Sequence, residues 1–259
     1  MSDTEVRAPR QRPPRAPWRF GAIVMYTLRS CIGPKRWLGC LLPCAGALLF
    51  GLLARTMVES PTESFARVAA DGIFALVIPI AALVIGDAVL GAEVRAGTFQ
   101  FTWLTPTPLS HIVLGRWLGG CIVTLVTIVP ACALAAVIAD DAASAGPVAI
   151  AAFGGAVAYI AVFVAIGCVT RRAAVWSLAF VFLFERLLGS ALTGIAQWSP
   201  TWESRAVFVD FIEDAPKSLV REGIPVGTGA MVRLGVITLI GLGVARWRLA
   251  HMRMSGASD

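Results

Sequence analysis

The chain has 259 residues, of which 57% are hydrophobic and 15% charged, whereas ordinary soluble domains hold roughly 45–50% apolar and about 25% charged residues. So few charges do not cover a water-soluble core, and the apolar residues fall in long blocks, which excludes a soluble globular protein and makes the bilayer the solvent. The net charge of +6 would suit nucleic acid, but most of the basic residues flank apolar blocks, so a membrane surface is the expected partner and nucleic acid is not.

Residues 1–17 are rich in Arg and Pro (Arg7, Arg10, Arg12, Arg15, with Pro9, Pro13, Pro14 and Pro17) and lack the apolar stretch of a cleavable signal. They read as a disordered basic cytoplasmic tail drawn to anionic lipid. Residues 18–36 hold an apolar stretch bracketed by Arg19 and Arg29, too short to cross a bilayer. Phe20, Ile23, Val24, Thr27, Leu28 and Cys31 recur at helical spacing, with Arg19, Tyr26 and Ser30 opposite. This predicts an amphipathic helix lying on the inner leaflet.

A helix crossing a ~30 Å hydrocarbon core needs about 20 apolar residues. Six such runs follow, from Trp37 to Ala54, Gly72 to Gly91, Trp117 to Ala139, Pro147 to Val169, Ala173 to Gly189 and Val226 to Ala245. The expected fold class is therefore all-α integral membrane, with residues 37–249 as one six-span domain and 250–259 as a second cytoplasmic tail. With the N-terminus inside, the cytoplasmic segments carry fifteen basic residues against four acids, and the outer segments five against ten. That asymmetry predicts both termini in the cytoplasm of a multi-pass plasma (inner) membrane protein. Trp37, Trp117, Trp176 and Trp247 are expected at inner span ends, with Trp198 and Trp202 outside. Pro43, Pro79 and Pro130 are expected to kink their spans, and Gly115 and Gly119 to allow close helix approach. The six cysteines include no Cys-x-x-Cys pair and read as small packing residues.

Catalytic inventory is thin. Two histidines, His111 and His251, form no His-Glu-x-x-His, and no Gly-x-Ser-x-Gly turn presents a nucleophile. Asp87 has no second carboxylate at matching depth in another span, and Asp140–Asp141 lacks a second acidic motif. Neither Lys35 nor Lys217 follows a phosphate-binding glycine frame, so nucleotide energy has to come from another polypeptide.

The second inner connection, residues 92–110, carries Glu93 and Arg95, then Gly97, Thr98, Phe99, Phe101, Trp103 and Leu104, then Pro106 and Pro108, with re-entry at Leu114-Gly115-Arg116. The prolines end any helix and set a stiff bend, and the exposed apolar cluster requires lipid or protein to cover it. The spacing Glu93, Gly97-Thr98, Thr105-Pro106, Ser110 and Leu114-Gly115-Arg116 resembles the membrane subunits of type-2 ABC transporters, the exporter class. Thr107-Pro108 is an insertion relative to that pattern. The resemblance implies a permease subunit without catalytic activity. Its coupling helix, Glu93 to Leu104, would seat on an ABC ATP-binding subunit, with ATP and Mg held by that partner and no cofactor on this chain. Glu93 and Arg95 would offer ion pairs, Gly97 and Thr98 a close turn, and Phe99, Phe101, Leu104 and Pro106 the docking surface. Six spans make half a pathway, so a second permease subunit, identical or related, is implied.

Glu185, Arg186 and Arg233 lie inside spans, where an ionised side chain costs about 2.5–3.5 kcal/mol on insertion scales. Glu185 and Arg233 sit at similar depth, about 18 and 20 Å from the inner side, so an ion pair between spans five and six is one expectation. A pathway role and a break of the fifth span near Gly189 are the others. Outer-leaflet short helices are expected within residues 190–225. Two rival functions stand beside the permease, a proton-coupled secondary transporter using Glu185, Arg233 or Asp87, and a non-transporting membrane assembly factor.

Overall fold

The computed structural model describes residues 16–33, 37–57, 60–91, 93, 107–170, 172–212 and 216–251, and its elements are all helical. The basic tail expected at 1–17 falls almost entirely outside the described residues, as does the tail at 252–259. Six helices are long and apolar enough to cross a membrane. In chain order the elements are α1 (Ala16–Cys31), α2 (Trp37–Arg55), α3 (Pro61–Val89), α4 (Leu109–Ala139), α5 (Ala145–Val169), α6 (Ala173–Ala191), α7 (Thr193–Ala196), α8 (Pro200–Phe211) and α9 (Thr228–Ala250). The spans are α2, α3, α4, α5, α6 and α9.

Two spans start earlier than hydropathy suggested. α3 begins at Pro61 because Ser60 caps it, accepting from the Glu63 backbone N–H at 3.4 Å, with Pro61 in the first turn. A Glu63–Arg67 pair at 2.8 Å, one turn apart, supports that polar start. α4 begins at Leu109, directly after Pro108, so Trp117 sits eight residues inside the helix. Its indole N–H donates to the Val157 carbonyl at 3.2 Å and ties α4 to α5.

α5 is the centre of the bundle. Its buried face is mostly small, including Ala151, Ala152, Gly155, Ala156, Ala158 and Ala161, which lets neighbouring backbones approach. A Cβ placed on Gly241 of α9 would lie 2.9 Å from the Ala161 carbonyl carbon, so the α5 and α9 main chains touch there. The large exposed side chains, such as Leu42, Val126 and Leu239, lie on spans and present apolar surface where lipid is the solvent.

The helix is irregular just before Pro79. The preceding stretch Ala69–Val77 winds more widely, with the Ile78 N–H bonded to the Ile73 carbonyl five residues back. A proline supplies no N–H to the regular ladder and crowds the carbonyl four residues earlier, which a wider turn relieves. A second wide stretch, Phe180–Leu188 in α6, contains no proline and carries Glu185.

The apolar stripe of α1 faces protein. Thr27 and Cys31 are buried, Phe20 meets His111 edge-on at 5.9 Å, and Met25 and Tyr26 point outward. The seat is the Gly115/Gly119 pair on α4. A Cβ on Gly119 would fall 2.7 Å from the Thr27 Cβ, and one on Gly115 2.9 Å from Ile23. Gly119→Leu is therefore expected to lift α1 off α4 and cost about 1–3 kcal/mol, read as a lower unfolding temperature and faster protease cleavage within 16–31. Unchanged cleavage would rule out this seat.

Candidate functional site

Two polar arrangements stand out inside an otherwise apolar bundle. The first lies where α3 ends and α4 begins. Arg116 in α4 is 1% exposed, the largest fully buried side chain among the described residues. Its Nη1 donates to Glu93 Oε1 at 2.8 Å and to the Val89 carbonyl at 2.9 Å, while Nη2 donates to Glu93 Oε2 at 2.7 Å. The guanidinium also lies 4.9 Å from the centre of the Tyr26 ring.

Each of these contacts has a physical reason. Val89 is in the last turn of α3, where carbonyls lack intrahelical partners and the helix end favours a cation. The planar fork of Arg matches a carboxylate with two parallel bonds. The Tyr26 face supplies a further electrostatic contact. One side chain thus joins α1, the end of α3, residue 93 and α4. Its Nε remains buried with no hydrogen-bond partner among the described residues.

The second arrangement lies near the middle of the bundle. Tyr159 is fully buried about 21 Å along α5 from Ala145, at ~1.5 Å per residue. Its hydroxyl donates to Glu185 Oε2 and lies 2.5 Å from Thr201 Oγ1. Ser199 Oγ donates to Glu185 Oε1 at 2.7 Å, and Thr201 Oγ1 donates to Oε2 at 3.2 Å. Glu185 is 2% exposed and makes no ion pair among the described residues. Three hydroxyls, rather than a cation, compensate its desolvation.

This cluster exists because the connection between α6 and α9 folds back into the bundle. After α6 the chain turns back through α7, so that Ser199 reaches Glu185. α8 then runs between α3, α5 and α9 with Thr201 and Glu203 to Val209 all buried. Ser204 packs on the bare Gly155 of α5, Phe208 meets Phe65 and Phe74, and the Gly227 N–H donates to the Ala206 carbonyl. Two charges of α8, Glu203 and Arg205, are buried and paired. Glu203 accepts from Arg233 at 3.3 Å, and Arg205 reaches Asp71 of α3 at 3.0 Å while lying over the Trp202 ring. Burial pushes the Glu203 carboxyl up to about 7, against the downward pull of Arg233.

Against the residues singled out from sequence, the structure is selective. Arg95, Gly97, Thr98, Phe99, Phe101, Leu104 and Pro106 lie outside the described residues. Glu93 directs both carboxylate oxygens at Arg116. The expected Glu185–Arg233 pair is not formed. Equal depth placed the two side chains at one height, but α8 stands between their helices and supplies a separate partner to each. Arg186, neighbour of Glu185, instead points to the Asp71 carbonyl at 3.4 Å.

Sequence reasoning missed Tyr159, Thr201, Glu203 and Arg205, and listed Arg116 as part of a motif without a role. A usable signal existed for Tyr159. The chain has only two tyrosines, and one of them interrupts a run of Ala, Val, Ile and Gly, where a buried hydroxyl requires a partner.

No curated protein matches this chain. The family model described as ABC-2 family transporter protein matches residues 20–207. That stretch runs from α1 through the first five spans into α8 and includes both Glu93 with Arg116 and the Tyr159–Glu185 cluster. A match over most of the chain establishes the family, and the chain belongs to the ABC-2 transporter membrane proteins.

Proposed function

We propose that this chain is the permease subunit of an ATP-driven exporter and couples to a separate ATP-binding subunit through the connection at residues 92–110. A second permease subunit, identical or related, completes the pathway, and both chain ends lie in the cytoplasm. The observation that carries the reading is the anchoring of Glu93 on Arg116. A segment that receives force from a soluble partner has to be held rigidly to the spans it moves, and a bidentate pair buried between α3 and α4 does this. Tyr26 brings α1 to the same guanidinium, so displacement of the connection would reach three elements together. On this reading Glu93 is a positioning residue, and the residues that follow it meet the ATP-binding subunit.

The test is purification of the tagged chain from native membranes in mild detergent, followed by identification of stoichiometric partners and assay of vanadate-sensitive ATP hydrolysis. An ATP-binding protein is expected to accompany the wild-type chain and to be lost from Gly97→Trp, whose bulk would block the close turn. Glu93→Lys is expected to lose it as well, by placing a lysine against Arg116. Unchanged partner recovery and transport in both variants would overturn the assignment. Transport by an ATPase-free chain in proteoliposomes would replace it with the proton-coupled reading, for which the buried Glu185 is the candidate group.

A further inference from the structure

A groove of about 720 Å³ runs between α5, α6 and α9, within the size range of ligand sites. Its walls include Ala165 and Ile166 of α5, Ala179 and Leu183 of α6, and Ile240 and Val244 of α9, and Thr170 is the only hydroxyl among its lining residues. α6 and α9 stand apart, with α5 as the floor, so the groove opens sideways along exposed Trp176, Leu183 and Ile240. It extends from Trp176 to Leu188 along α6, about 18 Å at ~1.5 Å per residue. One leaflet of a ~30 Å hydrocarbon core is about 15 Å deep, so the groove has the length of a single acyl chain.

Two arginines stand just beyond one end. Ile237, Gly241 and Val244 line the groove, and Arg248 continues that face of α9 one turn further. Arg248 is half-buried, its guanidinium lies 6.0 Å from the Trp247 ring centre, and its Nε is buried with no hydrogen-bond partner among the described residues. Across the mouth, Arg172 is exposed at the N-terminal cap of α6, where the first-turn N–H groups also favour an anion. Beside the far end, at Leu188, the charged groups already have partners: Arg221 donates to the carbonyls of Gly189, Ser190 and Ala191, and Glu185 accepts from three hydroxyls.

We infer that this groove binds one acyl chain of an anionic phospholipid, with the headgroup phosphate at Arg172 and Arg248. The lipid enters from the leaflet at the basic end, which the overall charge asymmetry assigns to the cytoplasmic side. A second copy of the chain is a poorer occupant. A two-fold interface sets a patch against itself, which would bring the arginines of both copies together, whereas a phosphate complements them. The site is separate from the Glu93–Arg116 anchor and does not rest on the exporter reading.

The test uses the full chain, with any subunit that co-purifies, in mild detergent. Palmitoyl-oleoyl phosphatidylglycerol and phosphatidylcholine are titrated in turn, and bound lipid is counted by native mass spectrometry. Wild type is expected to retain phosphatidylglycerol preferentially. Arg172→Gln with Arg248→Gln is expected to weaken that retention about 30-fold and to weaken phosphatidylcholine retention much less, because the choline ammonium already offsets its phosphate charge. Ala179→Trp, which fills the groove, is expected to remove both lipids. The arginine variants lie at the mouth and carry the test alone should the tryptophan variant fail to fold. Equal retention of the two lipids by wild type, or no loss in the arginine variant, would overturn the proposal. So would an Ala179→Trp variant that breaks an oligomer into monomers yet keeps its phosphatidylglycerol, since a second copy would then be the occupant.

Discussion

Arg116→Ala is expected to be the most damaging single truncation in the described part of the chain. It leaves the Glu93 carboxylate, 11% exposed, without its cation and strips the Val89 carbonyl of its donor. Removing one partner of a buried pair costs about 3–5 kcal/mol, a fall of about 10 °C in the unfolding midpoint for a chain of this size. Arg116→Lys keeps the charge but offers no planar fork, so it should recover only part of the loss. The informative comparison is Arg116→Met combined with Glu93→Gln. With both charges gone, stability should return towards wild type, because an apolar replacement of a buried pair is often neutral. ATP-driven transport should stay impaired, since the connection would no longer be tied to α4. If Arg116→Ala unfolds at the wild-type temperature, the pair does not hold this junction. If the double variant regains transport with stability, the anchor has no part in coupling.

The second large effect is expected at Glu185. Glu185→Ala leaves the hydroxyls of Tyr159, Ser199 and Thr201 facing a cavity, each short of an acceptor at about 1–3 kcal/mol where no other partner is found. Glu185→Gln preserves the volume and an acceptor oxygen and should cost less than half as much. A double-mutant cycle of Glu185→Gln with Tyr159→Phe should show coupling of about 1–3 kcal/mol, whereas Glu185 with Arg233 should be additive to within about 0.5 kcal/mol. Exchange of the two charges, Glu185→Arg with Arg233→Glu, is accordingly expected to rescue neither single variant. Measured coupling between Glu185 and Arg233 larger than that between Glu185 and Tyr159 would overturn this arrangement. The position also bears on transport. Glu185 sits on a widely wound stretch of α6, a backbone form found frequently at functional sites, and the outer end of the apolar groove lies beside it at Phe184 and Leu188. As the membrane subunit of an ABC transporter, the chain has to let its spans shift. A carboxylate held by three hydroxyls can exchange hydrogen-bond partners at lower cost than a buried ion pair can be broken.

How much was legible beforehand differs by element. All six spans were found, because solvent contact along a ~20-residue helix is written in its own apolar content. Their ends were less accurate where a polar first turn is stabilised locally, as at Ser60 and Glu63, or where the helix starts on a proline, as at Leu109. The apolar stripe of α1 was read correctly as a stripe but assigned to lipid. Periodicity shows that a face is apolar and not what covers it. The glycine pair that covers it lies more than eighty residues away, on a helix whose pairing with α1 no local pattern reveals.

Composition, hydropathy and the Glu93 to Arg116 motif were sufficient for the membrane class, the number of spans and the family, since each depends on residues close in sequence or on totals over the chain. The partners of the buried charges depended on the tertiary structure. Depth arithmetic gives the height of a residue in the bilayer and says nothing of the direction it faces, so Glu185 and Arg233 looked like a pair. The burial of Glu203 and Arg205 in α8 was not legible for the same reason: whether a Glu or Arg is buried is decided by a partner. Those partners, Tyr159, Asp71 and Arg233, come from helices that meet α8 only once the outer connection has folded back into the bundle.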